Sequence, residues 1–104
     1  MIYVEASFRV VPGKMKELME VFEKEVLPLS NRLGRKLVGQ WMISIGTLDT
    51  VVDLWGYDDL NHMQRFNEAR AKMPEFAVAS EHLRALIAYE ETRLMVPTTL
   101  SQIK

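Results

Sequence analysis

Two β-rich runs separated by a short polar stretch constrain the fold of this chain more than any other feature. Residues 37–45 and 51–57 are rich in β-branched and aromatic side chains, which favour strands. Residues 46–50 between them carry a glycine and an aspartate, which suit a turn. The pattern predicts a β-hairpin, and the two aspartates that follow it offer an N-cap for a helix.

The segments around the hairpin complete a regular order of strands and helices. Apolar residues alternate over Ile2–Val10, which predicts a strand with one buried face. Apolar spacing of three and four residues predicts helices over Lys14–Leu29, Asp59–Lys72 and Glu75–Leu86. Ile87–Val96 is predicted as the last strand. The order β-α-β-β-α-β predicts an α+β, ferredoxin-like sandwich, in which helices cover one face of a four-stranded antiparallel sheet.

Length and composition limit the class of protein. The 104 residues predict a single domain over 1–104. A net charge of -1 argues against a nucleic-acid partner, which needs a clustered basic excess. The chain has no cysteine, which excludes disulfides and thiolate chemistry and fits a reducing compartment. We find no apolar run of membrane-spanning length and no signal peptide, so we expect a cytoplasmic protein without membrane insertion.

The second face of the sheet is the predicted functional surface. Alternation in the first strand places Tyr3 and Glu5 on this face, and we assign Asp53 and Trp55 of the third strand to it as well. A face that mixes aromatic and charged side chains is typical of an interface or a cavity wall. We therefore expect a homodimer and a pocket for a small organic ligand. The expected pocket residues are Tyr3, Glu5, Met42, Asp53, Trp55, His62 and Arg93.

Several polar groups have both a structural and a chemical interpretation. Asp53, Glu5, Glu91 and Arg93 form either a buried network with a general base or an ion pair that only fixes an interface. His82 is expected on an exposed helix face. His62 is interpreted as a helix-surface residue or as a proton shuttle.

Neither a metal nor a cofactor is expected, because the histidines lack a third ligand at suitable spacing and nucleotide-binding motifs are missing. The basic loop at 32–36 is interpreted as a solvated connection in preference to an anion site.

Short motifs along the whole chain resemble one known family. They include Pro12-Gly13-Lys14, Leu54-Trp55, Pro74-Glu75-Phe76, Glu91-Thr92-Arg93-Leu94 and Val96-Pro97-Thr98. In their order and spacing they resemble the NIPSNAP family of the dimeric α/β-barrel superfamily. The resemblance runs nearly end to end, which makes it more specific than any single motif.

The resemblance implies a fold more firmly than an activity. The family has no established reaction, so it implies a homodimeric barrel that binds a small organic ligand or a partner protein. The alternative is a cofactor-independent enzyme, monooxygenase- or isomerase-like, that acts on a small apolar or aromatic molecule. Ser44 and Asp53 stand where the family often has other polar residues, so whether this chain is an enzyme stays open.

Overall fold

The computed structural model describes residues 1–104 and has strands and helices in the predicted order. The four strands are β1 (Ile2–Val10), β2 (Lys36–Met42), β3 (Thr50–Tyr57) and β4 (Ile87–Met95). The helices are α1, which comprises Met15–Val21, Phe22–Val26 and Leu27–Arg32, then α2 (Leu60–Ala71) and α3 (Pro74–Arg84). The predicted α+β, ferredoxin-like fold is confirmed, with a four-stranded antiparallel sheet in the order β2-β3-β1-β4.

Helix α1 continues past its predicted end. Its middle segment, Phe22–Val26, is a π turn, and Pro28 lies at the start of the last segment, which extends to Arg32. Proline within a helix removes one intrahelical hydrogen bond. A π turn already changes the hydrogen-bond register locally, so the helix continues after the proline instead of stopping there.

Register defines two faces of the sheet. Val4 of β1 lies opposite Trp55 of β3, and Ala6 lies opposite Asp53. These side chains share the face that the helices cover, here called the covered face. The opposite face, here called the open face, carries no helix. Its members include Tyr3, Glu5, Ser7, Trp41, Leu54, Tyr89 and Arg93.

The core lies between the covered face and the helices. One cluster joins α1, β3, α2 and α3 through aromatic side chains, among them Phe22, Trp55, Phe66 and Phe76. A smaller cluster around Val51 lies towards the other end of the sheet. Strand β4 differs from the rest because seven of its nine residues are exposed, so the helix layer leaves this edge strand uncovered.

The predicted helix N-cap is confirmed where the hairpin leads into α2. The carboxylate of Asp59 accepts a hydrogen bond from the backbone N–H of His62 at 2.7 Å. In turn, Nδ1 of His62 accepts from the backbone N–H of Asp58 at 2.9 Å. The first of these bonds satisfies a donor that the helix start would otherwise leave free.

Candidate active site beneath the helices

A cavity of about 420 Å³ lies between the covered face and the helices, and is here called the inner pocket. Its walls include the aromatic side chains of Phe22, Trp55, Tyr57 and Phe76. Arg35 and Asp53 reach the same cavity. Ligand sites in proteins have this size and this combination of apolar walls with a few polar groups.

Asp53 is the buried acid of the inner pocket. Only 2% of its surface is exposed, and its Oδ1 accepts a hydrogen bond from Nε2 of Gln40 at 2.7 Å. Burial raises the pKa of Asp53 to about 6, although the bond from Gln40 and the charge of Arg35 act in the opposite direction. Such a carboxyl exchanges its proton near neutral pH, as general acids and bases do.

Arg35 is the cation beside it, and aromatic rings hold it in place. Its Cζ lies 3.6 Å from the centroid of Trp55 and 4.4 Å from that of Phe66. Its Nη2 donates to Oγ of Ser30 at 2.8 Å, while Nε is buried without a hydrogen-bond partner. Burial lowers the pKa of Arg35, and the nearby phenol of Tyr57 and carboxyl of Asp53 partly offset this shift. Stacking fixes the guanidinium plane, which makes Arg35 a preorganised donor.

A second group of polar side chains borders the inner pocket nearer to solvent. These are Asn67, Arg70, Ser80, Glu90 and Thr92. The Cζ of Arg70 lies 5.7 Å from the centroids of both Phe66 and Phe76. Three arginines therefore border the pocket: Arg35 lies deep, Arg70 lies near the mouth, and Arg93 comes from the edge strand β4.

The predicted pocket residues do not all meet. Asp53, Trp55 and Arg93 border the inner pocket, whereas Tyr3, Glu5, Met42 and His62 do not. The assignment of Asp53 and Trp55 to the face of Tyr3 and Glu5 is wrong, because register pairs Tyr3 with Gly56 and Glu5 with Leu54. Trp55 lies opposite Val4, on the covered face.

The remaining predicted residues lie elsewhere. Met42 is 63% exposed near the end of β2. The ring of His62 packs edge-on against Tyr57, with a centroid separation of 5.5 Å, next to the start of α2. His82 is exposed, as predicted, and its Nδ1 lies 2.8 Å from Oε1 of Glu25.

Of the two interpretations of the charged side chains Glu5, Asp53, Glu91 and Arg93, the buried network is wrong. Arg93 pairs with Glu91 at 3.7 Å, and both side chains are at least half exposed. Glu5 is the cross-strand neighbour of Arg93 on the open face, whereas Asp53 lies on the covered face with Gln40 and Arg35. Strand register therefore places Asp53 on one face of the sheet and Glu5, Glu91 and Arg93 on the other.

Sequence reasoning missed Arg35, which was interpreted as part of a solvated basic loop. One signal was present, because Arg35 precedes Leu37 by two residues and Leu37 lies opposite Trp55. Side chains two apart in an extended segment point to the same face. The residues at the mouth of the pocket carried no comparable signal, since they come from separate elements.

Two further properties of the structure bear on function. No group of three or more His, Asp or Glu side chains is arranged to hold a metal ion. None of the helices has the length and apolar character needed to cross a bilayer.

Comparison with known proteins identifies similar chains. A model of the NIPSNAP family matches residues 3–102. The chain is 33% identical over 75 residues to the Homo sapiens protein NipSnap homolog 3A. The aligned residues make up 71% of this chain and 30% of that protein. The chain thus spans about a third of the length of the curated relatives it matches.

Solved structures show the same fold. A NIPSNAP family protein of Agrobacterium tumefaciens superposes with a TM-score of 0.90 at 28% identity, over 99% of this chain and 98% of that one. A protein of Nitrosomonas europaea, proposed to be an antibiotic biosynthesis monooxygenase, superposes with a TM-score of 0.72. The superposition covers 93% of this chain and 98% of that one. The sequences are only 9% identical, so the similarity concerns the fold alone.

Proposed function

Because this chain belongs to the NIPSNAP family and has a polar pocket beneath its helices, we propose that it binds a small organic ligand in the inner pocket. The observation that carries the proposal is the pair of Arg35 and Asp53 inside an aromatic-walled cavity of about 420 Å³. Burying these groups costs free energy, and proteins retain such groups where they contact ligands.

The chemistry of the pair selects for an oxygen acceptor. A guanidinium donates hydrogen bonds and never accepts them, and a protonated Asp53 also donates. Carboxylate, carbonyl and enolate oxygens fit both donors. The aromatic walls favour an apolar body attached to that oxygen-bearing group.

Binding is tested by thermal shift and calorimetry with a library of small organic acids and carbonyl compounds. A true ligand is expected to stabilise the wild-type protein, and Arg35→Met should weaken its binding roughly tenfold or more, since hydrogen bonds to charged groups are the strong ones. Glu5→Gln on the open face is the matched control and should bind as the wild type does. A ligand that binds Arg35→Met and Asp53→Asn with the affinity of the wild type would contradict the proposal.

We also propose that the protein is a homodimer that pairs through its open face. Trp41 is 55% exposed there, and its indole lies against Gly39, where an added Cβ would be 2.5 Å from the ring. Tyr89 is exposed on the same face, and Val52 and Leu54 are half-buried between the two edge strands. A second copy of this face would cover these side chains symmetrically.

Sedimentation velocity tests the dimer. The wild type is expected to sediment as a dimer at micromolar concentration, and Trp41→Glu should shift it towards monomer. Leu48→Glu in the exposed turn is the matched control and should leave the dimer intact. A wild-type monomer with native circular dichroism would exclude the assembly.

The cytoplasmic location stays a prediction, which fractionation of cells that produce the tagged protein would test.

A second candidate function rests on the raised pKa of Asp53. In its ionised form, a carboxyl with a pKa of about 6 can remove a proton from the α-carbon of a β,γ-unsaturated carbonyl compound, while Arg35 stabilises the resulting dienolate. Return of the proton to the γ-carbon moves the double bond into conjugation with the carbonyl. Such an isomerisation needs no cofactor. Protein-dependent deuterium exchange at the α-carbons of a keto acid such as levulinate, lost in Asp53→Asn, would support it.

A further inference from the structure

A second cavity lies outside the inner pocket, between helix α3 and the edge strand β4. This groove, here called the outer groove, has a volume of about 830 Å³. Its apolar lining includes Ala77, Val78, Ile87 and Ala88. The groove exists because the helix layer leaves β4 uncovered.

The outer groove and the inner pocket adjoin each other and share part of their lining. Both cavities are bordered by Arg70, Phe76, Ser80, Leu83 and Glu90. Arg70 and Glu90 therefore lie where the two cavities adjoin, whereas Arg35 and Asp53 line the inner pocket alone. The inner pocket is lined by aromatic and charged side chains, and the outer groove is aliphatic with a polar rim.

We infer that the outer groove holds the hydrocarbon chain of an amphipathic monocarboxylic acid whose carboxylate lies in the inner pocket. This inference rests on the proposed function, because it identifies the ligand of the same site. It adds the class of ligand, the direction in which the ligand enters and the place of its apolar chain.

Charge favours a single carboxylate as the head group. Three arginines border the inner pocket, and one of them, Arg93, pairs with Glu91 at 3.7 Å. Arg35 and Arg70 remain, and the exposed carboxylate of Glu90 balances one of these two. When Asp53 is protonated, one positive charge remains for a monoanion. A dianion would exceed that charge, and a neutral hydrocarbon would leave the guanidinium groups without acceptors.

The shared lining favours a small amphipathic molecule over a protein segment in the outer groove. A helix or strand laid against β4 would close the mouth near Arg70 without filling the inner pocket. The buried Nε of Arg35 and the acid of Asp53 would then stay sealed from both water and ligand. A chain attached to a carboxylate fills both parts of the space with one molecule.

The test is a chain-length series of butyrate, hexanoate, octanoate and decanoate, kept below micelle formation and titrated by NMR and calorimetry. We expect affinity to rise about threefold to fourfold for each methylene that enters the outer groove, which is the usual gain for a buried methylene. Butyrate, which reaches only the inner pocket, should bind weakly and should lose binding in Arg35→Met. Arg35→Lys replaces that variant if Arg35→Met does not fold.

A matched pair of variants locates the chain. Ala88→Trp places a ring in the outer groove, and it should remove the chain-length dependence while butyrate still binds. Ala85→Trp changes an exposed alanine that does not line the groove and should keep the full dependence.

The outcomes separate the inference from the proposed function. Arg35-dependent butyrate binding without a chain-length effect, or an equal effect of the two tryptophans, would overturn the inference alone. If no acid of the series binds, or if Arg35→Met binds the acids as the wild type does, the inner pocket does not recognise carboxylates. Both the proposed function and the inference would then be wrong.

Discussion

The covered face and the open face of this sheet use similar residue types with opposite consequences. On the covered face, Asp53 is 2% exposed, and burial moves its pKa to about 6. On the open face, Glu91 and Arg93 pair at 3.7 Å with at least half of each side chain in water. Water screens the second pair, whereas the interior leaves Asp53 dependent on Gln40 and Arg35. A carboxyl that titrates near neutral pH therefore lies on the covered face, and a solvated ion pair lies on the open face.

The two tryptophans provide the strongest test of this contrast. Trp55→Ala should lower the free energy of unfolding by roughly 3–5 kcal/mol, because a buried aromatic side chain leaves a cavity and Arg35 loses its stacking partner. Trp41→Ala should change protomer stability by less than about 1 kcal/mol, since its ring is 55% exposed. Denaturant unfolding at a protein concentration low enough for the protein to be monomeric measures both. Equal losses of unfolding free energy in the two variants would contradict the distinction between the covered face and the open face.

The pH dependence of stability tests the buried acid. The pKa of Asp53 is higher in the folded state than its usual 3.8, so its proton stabilises the fold at low pH. This contribution is complete below about 3.8 and is lost as pH rises through about 6. From about pH 4 to about pH 7, the wild type should therefore lose roughly 2–3 kcal/mol relative to Asp53→Asn.

The control for that measurement is Glu91→Gln, which removes a carboxyl from the open face. It should follow the pH profile of the wild type much more closely than Asp53→Asn does. A constant difference between the wild type and Asp53→Asn across the pH range would show that Asp53 is not a desolvated acid.

The sequence predicted the fold well because local patterns determine it. The alternation in Ile2–Val10 and the spacing in the helices identify each element, and the hairpin limits how the central strands pair. Most boundaries agree within a few residues. The largest differences are β2, which ends at Met42 instead of Ile45, and α1, which passes Pro28 through a π turn.

The site was predicted poorly because period-two alternation assigns residues to faces only within one strand. It groups Asp53 with Trp55, and Tyr3 with Glu5, but the relation between those two groups depends on register. Strand β3 carries apolar residues on both faces, so Val52 and Leu54 looked as suitable for the core as Val51 and Trp55. The stacking of Arg35 on Trp55 joins residues far apart in sequence, and no local pattern encodes it.

Substitution of an arginine on each face should reveal a smaller difference in stability between the faces. Arg35→Lys keeps the charge and loses the planar stack on Trp55 and Phe66, which should cost about 1–2 kcal/mol of unfolding free energy. Arg93→Lys on the open face should change stability by less than about 0.5 kcal/mol. Thermal unfolding of the two variants beside the wild type measures the difference. Similar melting temperatures for both variants would mean that the Arg35 stack contributes little.

The smallest expected effect is that of the surface ion pair itself. A double-mutant cycle with Glu91→Gln and Arg93→Gln should give a coupling free energy of at most about 0.5 kcal/mol, because both side chains are largely solvated and their 3.7 Å contact competes with water. Added salt should reduce even this value, since screening acts fully on exposed charges. A coupling several times larger, unaffected by salt, would mean that the pair is buried in the assembled protein. The open face would then contain the desolvated ion pair of a dimer interface, and the contrast with the covered face would hold only for the isolated protomer.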